Sequence, residues 1–211
     1  MAGFLTSASL AAACTAALAG RPLVVDDANT NEKGTGHVET WVERAEGATV
    51  VNVAPAYAPL DGLEFAAALS RDTTNKINAS AVQLKWRITE SLDNGCNLGT
   101  TLGAAQQGGG DGHGRFVNGL LTCNARDIGS VHFNLGLIKP SGSASLRTWG
   151  VAFEHAFGPL TPHIETFGEK GSKPTLQIGA RTDIAKGWQL DGTIGRRDGE
   201  NLYTLGMKFQ F

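Results

Sequence analysis

From Gly36 to the end of the chain, apolar and polar residues alternate in short runs separated by turn residues. The clearest run spans Ala79–Thr89. Val82, Leu84, Trp86 and Ile88 share one parity, and Gln83, Lys85, Arg87 and Thr89 the other. The last eleven residues repeat the pattern, with Tyr203, Leu205, Met207, Phe209 and Phe211 set against Leu202, Thr204, Gly206, Lys208 and Gln210. A two-residue period places one set on each face of a strand. Twelve such runs can be marked: 36–46, 49–57, 63–71, 79–89, 96–106, 115–124, 130–138, 146–156, 162–169, 175–183, 188–196 and 201–211. Pro59-Leu60-Asp61-Gly62, Asp93-Asn94-Gly95, Gly158-Pro159-Leu160 and Asp198-Gly199 punctuate them, because Pro presets φ and Gly tolerates its positive values.

This pattern predicts an all-β fold, a 12-stranded antiparallel transmembrane β-barrel; for the last run taken alone, the alternative is the edge strand of a soluble sandwich. Parity alone does not say which face looks outward. Bulk decides it here: a barrel of this strand number has a lumen too wide for the few large side chains to fill. The apolar set is therefore expected to meet lipid. Trp41, Trp86, Trp149, Trp188, Tyr57 and Tyr203 are expected to form interface girdles. An even strand number places both termini on one side. A chain closing on such a strand, with Phe211 last, resembles the end of bacterial outer-membrane barrels. There the terminal aromatic is part of the insertion signal, which implies the barrel-assembly machinery and outer-membrane lipid as partners.

Composition narrows the picture. The 211 residues include 28 Gly and 7 Pro, with 18% charged residues, which favours many turns and short strands over helices. A net charge of −2 without a basic cluster gives no electrostatic case for nucleic acid. Residues 1–19 are apolar and uncharged, and end in Ala17-Leu18-Ala19, which reads as a signal peptide. No Lys or Arg precedes that run, and a short buried helix is its alternative. Cys14 makes no lipoprotein site, since Ala11 stands where Leu is wanted. Beyond residue 19 no run is long enough for a membrane-crossing helix, so a membrane form has to be a closed barrel. The domain reading is signal peptide 1–19, N-terminal segment 20–35 and barrel 36–211.

Arg21-Pro22-Leu23-Val24-Val25-Asp26-Asp27-Ala28, followed by an alternating strand with Glu39, resembles the opening of the outer-membrane family labelled for the MetA pathway of phenol degradation. Val25 stands where that family is expected to carry Thr or Ser. The resemblance implies a transporter-like barrel passing small organic molecules.

Cys96 and Cys123 are the sharpest pair. They are symmetric about the glycine-rich stretch Gly108-Gly109-Gly110, so strands joined there would oppose them directly at the end away from the loop. A disulfide is expected; two free thiols are the alternative. No CxxC is present, and the five histidines lack ligand spacing, so no metal or cofactor is expected. Parity sends Glu39, Glu43, Glu64, Lys85, Arg87, Glu154, Glu165, Arg181, Asp191 and Lys208 inward. Two readings stay open there: a charged constriction that selects permeants, or an ion-pair network that fills a narrow lumen. Residues 21–27 are either a periplasmic tail or a lumen plug in which Arg21, Asp26 and Asp27 pair with wall charges. The 108–114 loop, with Asp111 and His113, lacks the Lys of a phosphate loop. A membrane lipase would need Ser beside His, and no serine is opposite His155. The function expected is an outer-membrane channel for passive passage of small molecules, aromatic or hydrophobic ones among them. A closed structural barrel is the competing class, and a lipase the second.

Overall fold

A computed structural model describes residues 21–108 and 113–211; the expected signal peptide and the centre of the glycine-rich loop lie outside them. The described chain forms twelve strands: β1 Gly36–Ala45, β2 Ala48–Leu60, β3 Leu63–Asp72, β4 Ile77–Arg87, β5 Gly95–Gln107, β6 Gly114–Ala125, β7 Gly129–Lys139, β8 Leu146–Glu154, β9 Leu160–Glu169, β10 Thr175–Ala185, β11 Trp188–Arg197 and β12 Glu200–Gln210. Each pairs antiparallel with its sequence neighbour, and β1 pairs with β12 from His37↔Gln210 to Ala45↔Leu202. The sheet is therefore a closed barrel, and closure removes the unpaired edges that an open sheet would leave.

Turn chemistry fixes where strands reverse. β2 runs on through Pro59 and Leu60, so its turn shrinks to Asp61-Gly62, with Gly62 at φ 73°. That is two residues tighter than the sequence pattern predicts. β8 stops at Glu154, short of the expected Ala156, and a bridge between Phe157 and Leu160 closes the turn beyond it. Strand alternation puts β1's start and β12's end at one rim, called here the terminal rim; the 45–48 and 197–200 turns mark the far rim.

The apolar set faces outward. Leu69, Val82, Phe133, Leu135, Ile194 and Leu205 are exposed, Leu135 to 73%. A water-soluble barrel would bury these residues and expose the charged ones. Here Glu39, Glu64, Lys85, Glu165 and Asp191 are buried instead. This inversion is the pattern of a lipid-facing barrel. On the outside near the terminal rim, Tyr57, Phe65, Trp86, Trp188, Phe209 and Phe211 are all exposed; Trp188 and Phe209 are cross-strand partners with ring centroids 4.6 Å apart. Trp41 departs from the expected girdle. It points into the barrel and is 6% exposed, because it shares its parity with Glu39 and Glu43.

Cys96 and Cys123 are register partners on β5 and β6 near the terminal rim, and they form a disulfide with Cα atoms 4.0 Å apart.

Candidate functional site

The lumen is organised by residues 21–31, which lie inside the barrel and cross it by touching its wall strand after strand. Arg21 begins the path. Its Nη2 donates to Asp191 Oδ1 of β11 at 2.5 Å and to Thr204 Oγ1 of β12 at 3.0 Å. Its backbone N–H donates to Glu39 Oε1 of β1 at 3.1 Å, and its guanidinium lies 5.1 Å from the Trp41 ring centroid. Val24 and Val25 then donate their N–H groups to Glu165 Oε2 of β9 at 2.9 and 2.8 Å. Asp26 and Asn134 of β7 exchange two bonds: Asp26 N–H to Asn134 Oδ1 at 2.8 Å, and Asn134 Nδ2 to Asp26 O at 2.7 Å. Ala28 N–H reaches Thr122 Oγ1 of β6 at 2.9 Å, and Asn31 N–H reaches Glu64 Oε2 of β3 at 2.8 Å.

These residues have no strand period, and the contacts explain why. A buried N–H must find an acceptor, and here the acceptors are side chains of the wall in place of another strand's carbonyls. Apolar side chains fill the gaps: Val25 is 1% and Ala28 0% exposed, and Leu23 and Val25 pack with Ala152 and Phe167. The wall makes room with glycine. A Cβ on Gly150 would stand 2.7 Å from Val25 Cγ2, and one on Gly206 would stand 3.0 Å from Arg21 Nη2.

Charges are distributed in pairs around this segment. Besides Arg21–Asp191, Lys85 Nζ donates to Asp26 Oδ1 at 2.8 Å and lies 3.8 Å from Asp27. Lys208 Nζ is 3.5 Å from Glu39 Oε1. Arg181 pairs with Glu154, and towards the far rim Arg197 pairs with Glu43 at 3.0 Å. Arg87 reaches Asp61 in the β2–β3 turn at 2.7 Å, which places it at the terminal rim. Glu165 is held by N–H donors, including Gln177 Nε2 at 2.6 Å. An isolated charge would be costly in a low-dielectric interior, and pairing or N–H donation offsets that cost.

The ten charged residues assigned inward by parity are thus buried or half-buried. The structure brings Glu39, Asp191 and Lys208 together around Arg21, and Lys85 and Glu64 around the later part of the segment. Glu43 and Arg87 stand apart, towards opposite rims. The expectation of a lumen too wide to fill does not hold, because the chain supplies its own filling. Beyond the segment, on the far-rim side, Trp41, Phe116 and Ile138 form an apolar layer with Ala54, Ala68, Ala79, Ala81 and Ala105. Phe116 fits because residue 103 is glycine: a Cβ there would lie 2.4 Å from its ring. A cavity of about 180 Å³ remains beside β1–β4, lined by Asn31, His37, Glu39, Glu64, Lys85 and Lys208 among others.

Several lumen residues escape the sequence reading. Asn97, Thr122, His132, Asn134 and Gln177 are buried inside the barrel, but their residue types are common on any polar strand face. For Trp41 a signal existed in its shared parity with Glu39 and Glu43. Thr122 Oγ1 lies 2.9 Å from His132 Nδ1, and His132 Nε2 lies 3.6 Å from Glu154 Oε1. That hydroxyl–imidazole–carboxylate line is nearest to the lipase alternative. Thr122 also accepts the Ala28 N–H, and both it and His132 are buried.

Comparison with known proteins places the architecture. The barrel is similar to the solved structure of a KdgM porin, with a TM-score of 0.68 at 12% identity, covering 83% of this chain and 99% of that one. A KdgM porin in complex with disordered oligogalacturonate gives a TM-score of 0.70 at 11% identity, with 83% and 99% coverage. The Acinetobacter baumannii outer membrane protein Omp33 gives 0.62 at 8% identity, with 84% and 98% coverage. At these identities the likeness concerns the fold: a closed 12-strand antiparallel barrel of the outer-membrane porin type. No curated protein matches the sequence. A family model described as Uncharacterised conserved protein UCP029691 matches residues 7–211, and the chain belongs to that family. The match does not carry the phenol-degradation label.

Proposed function

We propose that this barrel is an outer-membrane channel whose lumen is stoppered by its own residues 21–31, and that it passes small molecules when the stopper shifts. One observation carries the reading. The wall is a closed backbone ladder, whereas the segment is held to it by side-chain contacts that can be released one by one without opening the ladder. The charged residues around Arg21 and Lys85 would then be exposed to water and select permeants by size and charge. The lipid-facing inversion and the porin-type architecture support an outer-membrane location. Small aromatic or hydrophobic molecules remain the permeant class proposed, in line with the resemblance of residues 21–28.

The second reading is a closed structural barrel, favoured by the apolar layer of Trp41, Phe116 and Ile138 beyond the segment. Planar-bilayer recordings of refolded protein, with and without residues 21–33, separate the two. A stoppered channel gives sparse or small steps when whole and regular steps when shortened. A structural barrel stays silent in both forms, and that result would overturn the channel.

A further inference from the structure

The wall is not equally strong all round. β1–β2 is paired without a break from Gly36↔Tyr57 to Ala45↔Ala48, and β3–β4 from Leu63↔Trp86 to Asp72↔Ile77. Between them, β2–β3 pairs at Val53↔Leu69 and again at Ala56↔Ala66, but not at 54/68 or 55/67. Pro55 is the cause. Ala58 donates its N–H to Thr35, towards β1, so strand alternation turns the nitrogen of residue 55 towards β3. A proline has no hydrogen to give there, and the carbonyl of Ala67 goes without that donor.

Small side chains coincide with this break. Ala54, Ala56, Ala66 and Ala68 face inward around it and Ala67 faces outward; Ala54, Ala66 and Ala68 also pack against the apolar layer of Trp41, Phe116 and Ile138, on the far-rim side of the break. The lumen cavity of about 180 Å³ abuts the break from inside, lined there by Ala54, Pro55, Ala56 and Ala66. From outside, Pro55, Ala56 and Ala66 also line an apolar groove of about 660 Å³, whose other walls include Tyr57, Phe65, Leu84, Leu102 and Phe211. Two cavities of opposite character share three residues of wall, at a place on β2–β3 where the ladder is interrupted; a second irregularity, between Tyr57 and Leu60, lies nearer the terminal rim.

We propose that this seam is a lateral binding site and passage for single-headed amphiphiles. The polar head sits in the cavity among His37, Glu39, Glu64, Lys85 and Lys208, and the apolar body leaves between Pro55 and Ala67 into the outer groove and the bilayer. The proposal rests on the channel reading for its supply of molecules to the lumen. It differs from axial passage in its exit, which runs through the wall.

The test uses the full chain carrying Cys14→Ser, refolded into dioleoylphosphatidylcholine vesicles, with the native disulfide intact and one reporter cysteine, Ala66→Cys at the seam or Ala152→Cys on β8. Each is labelled by N-pyrenylmaleimide dissolved in the bilayer and by a water-soluble maleimide, and the ratio of the two rates is read. The expected ratio is at least tenfold higher for Ala66→Cys. Pro55→Ala and Pro55→Val, which restore the N–H, each bring it towards the Ala152→Cys value. Excess decanol slows the bilayer-borne labelling of Ala66→Cys alone. Equal ratios at the two positions, or a ratio unmoved by both proline replacements in protein that still shows barrel heat-modifiability, would overturn the seam. Lack of protection by decanol would overturn the ligand class. Conductance of the same vesicles after removal of residues 21–33 reports separately on the channel.

Discussion

Arg21 and Asp191 stand 170 residues apart in the chain and meet inside the barrel, Nη2 to Oδ1, at 2.5 Å. The pair ties the start of the lumen segment to β11, and Gly206 leaves the space in which it forms. Removing one member of a buried pair strands the other, at a cost of about 3–5 kcal/mol. Arg21→Ala should therefore loosen the segment. With Ala28→Cys as reporter in a Cys14→Ser background, a water-soluble maleimide should react at least tenfold faster in Arg21→Ala than in its absence. The double variant with Asp191→Ala should cost less than the sum of the two single changes. An unchanged rate at residue 28 would mean that the pair does not hold the segment.

Gly150 faces Val25 with no room for a side chain, so Gly150→Leu should expel Val25 while the ladder around it persists. Overpacking of this kind costs about 1–3 kcal/mol. Planar-bilayer recordings should show more frequent steps than the unmodified barrel gives. If activity is unchanged and a barrel structure confirms that Val25 has moved, the stopper is not what limits passage.

Charge at the lumen wall should be readable in ion selectivity once the segment is gone. Lys208 is half-buried beside Glu39. In the chain lacking residues 21–33, Lys208→Glu should shift the reversal potential in a salt gradient towards cations. No shift would remove Lys208 from the conducting path.

The Cys96–Cys123 bridge joins adjacent strands at the terminal rim. Protein carrying Cys14→Ser, denatured without reductant, should take up no alkylating reagent, and after reduction two groups. A link across a separation of 27 residues stabilises by about 3.5 kcal/mol in the chain-entropy model. Replacing both cysteines with serine should lower the denaturant midpoint accordingly, and an unchanged midpoint would show that the closed ladder already fixes these strands.

The strands were legible because each carries its own period: Val82 to Ile88 against Gln83 to Thr89 needs no knowledge of any neighbour. Cys96 and Cys123 were legible for a related reason, since a hairpin's register follows from the position of its turn. The contents of the lumen were not. Residues 21–31 make their backbone bonds to Glu39, Glu165, Asn134, Thr122 and Glu64, which are spread over the whole chain, and no local pattern records that. Trp41 lies between the two cases. It shares its parity with Glu39 and Glu43, but its residue type argues for the outside, and it is buried against the Arg21 guanidinium. The break at Pro55 could be read as a missing donor, whereas the cavities on its two sides could not.

The lumen segment joins β1 at Gly34–Gly36, at the same rim where β12 ends, and Gly34 turns there at φ 82°. It thus enters through the mouth of the cylinder and is tethered at that mouth. A body attached in this way can slide out along the axis like a piston, pivoting at its own glycine, while every rung of the cylinder stays made. Assembly gains the same freedom: the staves can be hooped first and the piston seated afterwards, with no thread drawn through a closed ring.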